Sequence, residues 1–258
     1  MIALVTGASS GIGRDIAIEL AKRKYDIIAV ARNEKALNDL KSDVEKEYNI
    51  NVDVSPMDLV DRDGCVQLHK EVKEKYGCVD VLVNDAGFGA CGDFTETDLD
   101  KELGMIDTNI VAYHVLTKLY LQDMKQKNSG KILNVASIAG FMPGPLMATY
   151  YSTKAYVVRL SEAIREELRR EKSNVQISIL CPGPVNTNFN KVAHGEFAIN
   201  EISPKYVAKL GIDKMFKKKM LIVPTFKMKL TLFFSRFAPL RLQLIIAYHI
   251  QGRKLGKK

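Results

Sequence analysis

Thr6-Gly7-Ala8-Ser9-Ser10-Gly11-Ile12-Gly13 follows an apolar run at 2–5 and leads straight into a helical pattern. Gly7, Gly11 and Gly13 permit a tight turn and let the backbone approach an anion closely. The helix that follows offers unpaired N–H groups and a positive dipole end to a pyrophosphate. Three glycines alone are weak evidence, and an ordinary glycine turn is the competing reading. The strand before and the helix after supply the context that a dinucleotide-binding turn requires.

Outward from this turn, runs rich in Val and Ile at 27–31, 52–54, 79–83, 132–135 and 175–180 read as strands. A short run at 221–223, before Pro224, reads as a last strand. Stretches at 34–48 and 61–76 have helical spacing. Strands buried on both faces look near-continuously apolar, as these do. Repeated strand–helix units imply parallel strands joined by right-handed crossovers. The expected fold is α/β: a doubly wound, Rossmann-like parallel sheet in one domain over residues 1–224. Its ligands are expected at the carboxyl ends of the strands. Residues 225–258 form a basic amphipathic C-terminal extension, with apolar stretches at 226–237 and 240–250 split by Pro239.

The size suits this plan. The chain has 258 residues, 47% of them hydrophobic, enough for one large core and too apolar for whole-chain disorder. The formal net charge is +8, unevenly placed. From Lys205 onward there are 14 Lys and Arg against one acid, Asp213, so that stretch carries +13 and the remainder −5. This asymmetry does not by itself indicate nucleic-acid binding, and no such partner is expected. Contact of the basic extension with a membrane surface stays open. Cys65, Cys78, Cys91 and Cys181 form no CxxC pair. His69, His114, His194 and His249 are scattered, and no metal site is expected. Reduced thiols and the lack of a signal-peptide pattern point to a cytoplasmic protein.

Further motifs follow the strands in order. Asn84-Asp85-Ala86-Gly87 comes after the fourth strand and Ser137 after the fifth. Tyr150 and Lys154 lie in a Tyr-x-x-x-Lys spacing 13 residues beyond Ser137. Pro182-Gly183-Pro184-Val185-Asn186-Thr187 follows the sixth strand. With the TGxxxGxG turn, this set resembles the short-chain dehydrogenase/reductase family. Within it, the chain looks most like a bacterial branch of broad specificity near 3-ketoacyl reductases and hydroxysteroid dehydrogenases. The resemblance implies that Gly7, Ser9, Ser10, Gly11, Ile12, Gly13 and Arg14 bind a nicotinamide dinucleotide. It assigns further cofactor contacts to Asn84, Ala86, Gly87, Pro182, Gly183, Val185 and Thr187, with Thr187 on the carboxamide. One departure is Asp85, where the family usually has Asn.

The second strand ends Val30-Ala31-Arg32, and no acid occurs until Glu34. An acid there would bond the ribose 2′-hydroxyl of NAD and repel the 2′-phosphate of NADP; a guanidinium binds that phosphate. Arg32, aided by Arg14, therefore points to NADP(H). Solvated surface arginines are the bland alternative. Asp58 matches the family's adenine contact, with a turn or helix cap before Val60 as its rival.

Carbonyl reduction needs a hydride and a proton. A tyrosine at its ordinary pKa near 10 exchanges protons poorly at neutral pH, and a neighbouring cation lowers that value. Lys154 lies one helical turn beyond Tyr150, on the same face. Tyr151 is a rival at i,i+3; the family pattern selects Tyr150, which with Lys154 also contacts the cofactor. Ser137 would hold the substrate oxygen. Asn109 matches the family's fourth catalytic member, which holds a water beside the lysine.

The expected activity is interconversion of a carbonyl and a secondary alcohol on a hydrophobic molecule such as a steroid, a ketoacyl compound or a xenobiotic ketone. Phe88, Phe141, Met142, Phe189, Val192 and Phe197 are candidate lining, and specificity is expected in the loop at 186–203 and the extension. The family also implies a homodimer or homotetramer built on the helices at 101–125 and 153–171. A silent nucleotide-binding scaffold and a membrane-surface protein are the other readings.

Overall fold

The computed structural model describes residues 1–187 and 202–256. Seven parallel strands form one sheet. They are β1 (Ile2–Thr6), β2 (Asp26–Ala31), β3 (Val52–Pro56), β4 (Val81–Asn84), β5 (Lys131–Val135), β6 (Gln176–Leu180) and β7 (Leu221–Ile222). Their order is β3-β2-β1-β4-β5-β6-β7. The order reverses between β1 and β4, which opens a crevice at their carboxyl ends.

Alternate residues of a strand point to opposite faces. Ala3 and Val5 enter one core with α1 (Gly11–Ala21), α2 (Glu34–Tyr48) and α7 (Pro204–Phe216). Leu4 enters the other, with α3 (Arg62–Tyr76), α5 (Tyr113–Lys127) and the end of α6 (Ala148–Arg170). Both faces of β1 are thus covered, which is why its sequence reads as a continuous apolar run. Helix α2 shows the local logic. Asn33 caps it by accepting from the Ala36 amide at 3.0 Å. Leu37, Leu40 and Val44 bury one stripe. Asn49 stops it in a left-handed conformation, φ 50°.

One helix departs from the 3.6-residue pattern. Between α4 (Leu99–Ile106) and α5, Asp107–Ala112 winds as a π-helix and carries Thr108 and Asn109 inward.

The extension follows β7 as α8 (Phe226–Ser235) and α9 (Leu240–Lys254). Among the described residues no helix is long and apolar enough to cross a membrane. All four cysteines are free thiols. Burial pushes the Cys65 thiol up to about 11.

Candidate active site

The turn after β1 leaves no room for side chains. Gly7 and Gly11 have φ of 71° and 58°. A Cβ on Gly7 would stand 2.9 Å from the Ala86 amide nitrogen, and one on Gly13 2.6 Å from Asp85 Oδ2. Thr6 ties this turn to the exit of β4: its hydroxyl accepts from the amides of Asp85 (3.0 Å) and Ala86 (3.2 Å) and donates to the Val83 carbonyl (3.3 Å). Ser10 is the N-cap of α1 but makes no side-chain cap, and the first turn holds no acid. Those first-turn amides and the glycine cradle fit the pyrophosphate of a dinucleotide. Thr187 closes the far side, its Cγ2 3.1 Å from where a Gly11 Cβ would lie. Ser9 is half-buried beside it, and Ile12 packs on the core below.

At the end of β2, the Arg32 guanidinium is 3.7 Å from the Asp58 carboxylate, with the side chain 71% exposed. Asp58 also accepts from the Val60 amide at 3.2 Å, so the turn-cap reading is present in the geometry. Arg14 pairs with Asp43 on α2 at 2.8 Å. Exposed pairs of this kind contribute about 0–1 kcal/mol, so a phosphate can displace either acid.

Ser137, Tyr150, Lys154 and Asn109 gather at the ends of β4 and β5. Ser137 is buried, accepts from the Ala139 amide at 3.1 Å and reaches the Pro182 carbonyl at 3.4 Å. It is also hydrogen-bonded to the Tyr150 phenol. Lys154, 5% exposed, donates to the Val135 carbonyl at 3.1 Å, and its Nζ is 5.9 Å from the Tyr150 ring centroid. Asn109 donates through Nδ2 to the Phe88 carbonyl (2.9 Å) and Thr153 Oγ1 (3.0 Å), and its Oδ1 accepts from the Phe88 amide (3.2 Å). It pins the loop after β4 to the helix that carries Tyr150. A Cβ on Gly87 would stand 2.8 Å from Asn109 Oδ1 and 3.5 Å from Lys154 Nζ, so this glycine leaves the lysine approachable.

Two features add to the sequence reading. Burial raises Tyr150 above the ordinary phenol value, against the Ser137 hydrogen bond, so the expected depression by Lys154 does not prevail here. Burial also lowers Lys154 to about 8, opposed by Asp85. Asp85 in turn is raised to about 7 by burial, with Lys154 and the Gly13 amide pulling the other way. Second, the side chain of Asn84 turns into the core, which leaves its main chain at the end of β4 for any cofactor contact. Its side chain is fully buried and donates to Thr117 Oγ1 (3.1 Å) and Asn134 Oδ1 (2.9 Å).

Tyr113 was not legible as a site residue. Its hydroxyl donates to the same Val135 carbonyl at 3.0 Å, and its ring lies 5.4 Å from Lys154 Nζ. The π-helix brings it there, and spacing alone gives no sign of one. Tyr151 packs: its ring lies against Gly144, and its hydroxyl accepts from Gln251 Nε2 of α9 at 2.5 Å. Pro182 and Val185 lie in the turn after β6, where Val185 is buried and bridges Ile202. Gly183 lies under Met228 of α8, and Phe141 and Met142 pack into the same cluster as Met228. Phe88 is half-buried. Phe189, Val192 and Phe197 lie outside the described residues.

The family model for short chain dehydrogenases matches residues 1–196. An uncharacterized oxidoreductase of Staphylococcus saprophyticus is 32% identical, over 82% of this chain and 89% of that protein. An NADP-dependent 3-hydroxy acid dehydrogenase of Schizosaccharomyces pombe is 32% identical, over 75% of each chain. An alcohol dehydrogenase of the archaeon Thermococcus sibiricus, complexed with 5-hydroxy-NADP, superposes with a TM-score of 0.77 at 25% identity, over 86% of this chain and 94% of that one. The turn, the sheet order and these matches agree, and the chain belongs to the short-chain dehydrogenase family, an oxidoreductase family of carbonyl and alcohol chemistry.

Proposed function

We propose that this protein is an NADP(H)-dependent oxidoreductase that interconverts a carbonyl and a secondary alcohol on a hydrophobic small molecule. The observation that carries the reading is the gathering of Ser137, Tyr150 and Lys154 around the end of β5, beside the glycine turn. When bound, the nicotinamide supplies or takes the hydride. The chain's own groups do the rest. Ser137 and the Tyr150 phenol hold the substrate oxygen, and Tyr150 gives it a proton in reduction. Lys154, fixed on the Val135 carbonyl, returns the proton or stabilises the phenolate. Asn109 acts by fixing Phe88 and Thr153, so that the loop and α6 keep their spacing.

The NADP preference rests on Arg32, which stands where an NAD-selective acid would stand. The S. pombe relative's name and the T. sibiricus complex point the same way. The half-buried Phe88, in the loop after β4 that Asn109 holds, favours a hydrophobic substrate. A homodimer or homotetramer built on α5 and α6 belongs to the same reading. The test is a ketone panel with NADPH and NADH. Wild type is expected to prefer NADPH, Arg32→Asp to shift towards NADH, and Tyr150→Phe to lose turnover with NADPH binding retained. Wild-type preference for NADH overturns the cofactor assignment; an active Tyr150→Phe overturns the catalytic one.

A further inference from the structure

The extension meets the rest of the molecule through few side chains. Met228 lies on Gly183, Leu232 and Ala247 are buried, and Gln251 bonds Tyr151. The remaining large side chains of α8 and α9 face outward. Phe226 and Phe237 are 75% and 73% exposed. Phe233 packs edge-on against Phe234 and Phe237 at the surface, with ring centroids 5.5 and 5.4 Å apart. On α9, Leu242, Ile245 and Ile246 lie on the side away from Ala247, each about half exposed. The charges between them are all positive: Lys227, Lys229, Arg236, Arg241 and Arg253, with no Asp or Glu anywhere after Asp213.

Such an exposed apolar surface marks a binding face. Charge decides what binds it. In a two-fold dimer centred on the patch, cations would face cations with no acid on α8 or α9 to pair them. An anionic bilayer complements both components: apolar side chains enter the acyl boundary while cations meet headgroups. The apolar residues of α8 and α9 are not confined to the side packed on the protein, as a surface helix in water requires. We infer that α8 and α9 form a surface-lying anchor for an anionic lipid bilayer. The anchor touches the catalytic helix at Tyr151 and the turn after β6 at Gly183. On the proposed oxidoreductase reading, its substrates are lipophilic carbonyl compounds that partition into that bilayer.

The test is co-sedimentation of the full-length protein with phosphatidylcholine vesicles, with and without about a quarter phosphatidylglycerol. Binding is expected to the anionic vesicles only, and to weaken as salt rises. Phe233→Ser/Phe237→Ser is expected to lower the partition coefficient at least about tenfold. Arg236→Gln and Arg241→Gln are each expected to lower it about fivefold. NADPH binding by these variants reports that they fold; Ile245→Ser/Ile246→Ser serves if the phenylalanine pair does not. No binding of the parent to anionic vesicles overturns the inference. So does a phenylalanine variant that keeps vesicle binding but loses mass in ultracentrifugation, since the face would then join copies. Turnover of a small water-soluble ketone, unchanged in these variants, tests the catalytic reading separately: a chain that binds vesicles without reducing any ketone fails that reading alone.

Discussion

The hydrogen bond between Gln251 and Tyr151 joins the last helix to the catalytic helix across 100 positions of sequence. Gln251 is 4% exposed, and its Oε1 has no partner. Tyr151→Phe would strand the Nε2 as well, leaving a buried amide unsatisfied at both atoms; each orphaned group costs about 1–3 kcal/mol. Gln251→Leu removes the stranded oxygen together with the donor and orphans only the half-buried Tyr151 hydroxyl, so its net cost is about 1 kcal/mol. The double variant puts two apolar groups together and is expected to be near neutral. Thermal unfolding of the four proteins gives the cycle. In a chain of this length about 1 kcal/mol shifts Tm by about 2–4 °C. Tyr151→Phe is expected to fall by about 4–8 °C and the double variant to recover most of that. Single-variant effects that simply add, within about 0.5 kcal/mol, refute a direct bond between the helices. Tyr151→Phe should also keep most of its turnover.

Three other outcomes are expected. Asp85 raises Lys154, so Asp85→Asn moves the loss of the lysine proton to a pH below about 8; the pH profile of kcat reads this, and an unmoved or rising limb contradicts it. Gly13→Ala would drive a Cβ to 2.6 Å from Asp85 Oδ2 and against the Gly7 backbone, so NADPH affinity should fall at least about tenfold in a fluorescence titration. A homodimer or homotetramer in ultracentrifugation is expected of the parent, and a strict monomer argues against assembly on α5 and α6.

The sheet was legible because its strands are buried on both faces, so Ile2 to Val5 or Ile177 to Leu180 could scarcely be anything else. The observed strands fall within a residue or two of their expected ends. The glycine turn was legible because its spacing is dictated by backbone geometry. What could not be read involves contacts distant in sequence. Nothing in Asn84 distinguishes a core amide from a crevice one until Thr117 and Asn134 are placed beside it. The state of Tyr150 depends on burial, which four-residue spacing does not encode. Few of the extension's apolar side chains are buried, Leu232 and Ala247 among them. Its composition states that it is apolar and cationic; which side chains face out depends on how it docks.

The π-helix at Asp107–Ala112 sets the phase of everything after it. Each residue of an α-helix turns the chain by about 100°, so the wider turn sets the angular frame in which α5 presents Tyr113, Leu116 and Tyr120. A turn of π-helix holds about one residue more than a turn of α-helix, so removing one residue here would let the segment close into α-helix with Tyr113, Leu116 and Tyr120 kept in phase, while the bulge that carries Thr108 and Asn109 inward is lost. A one-residue deletion should therefore leave the fold standing and still disturb the site, because Asn109 would no longer reach Phe88 and Thr153.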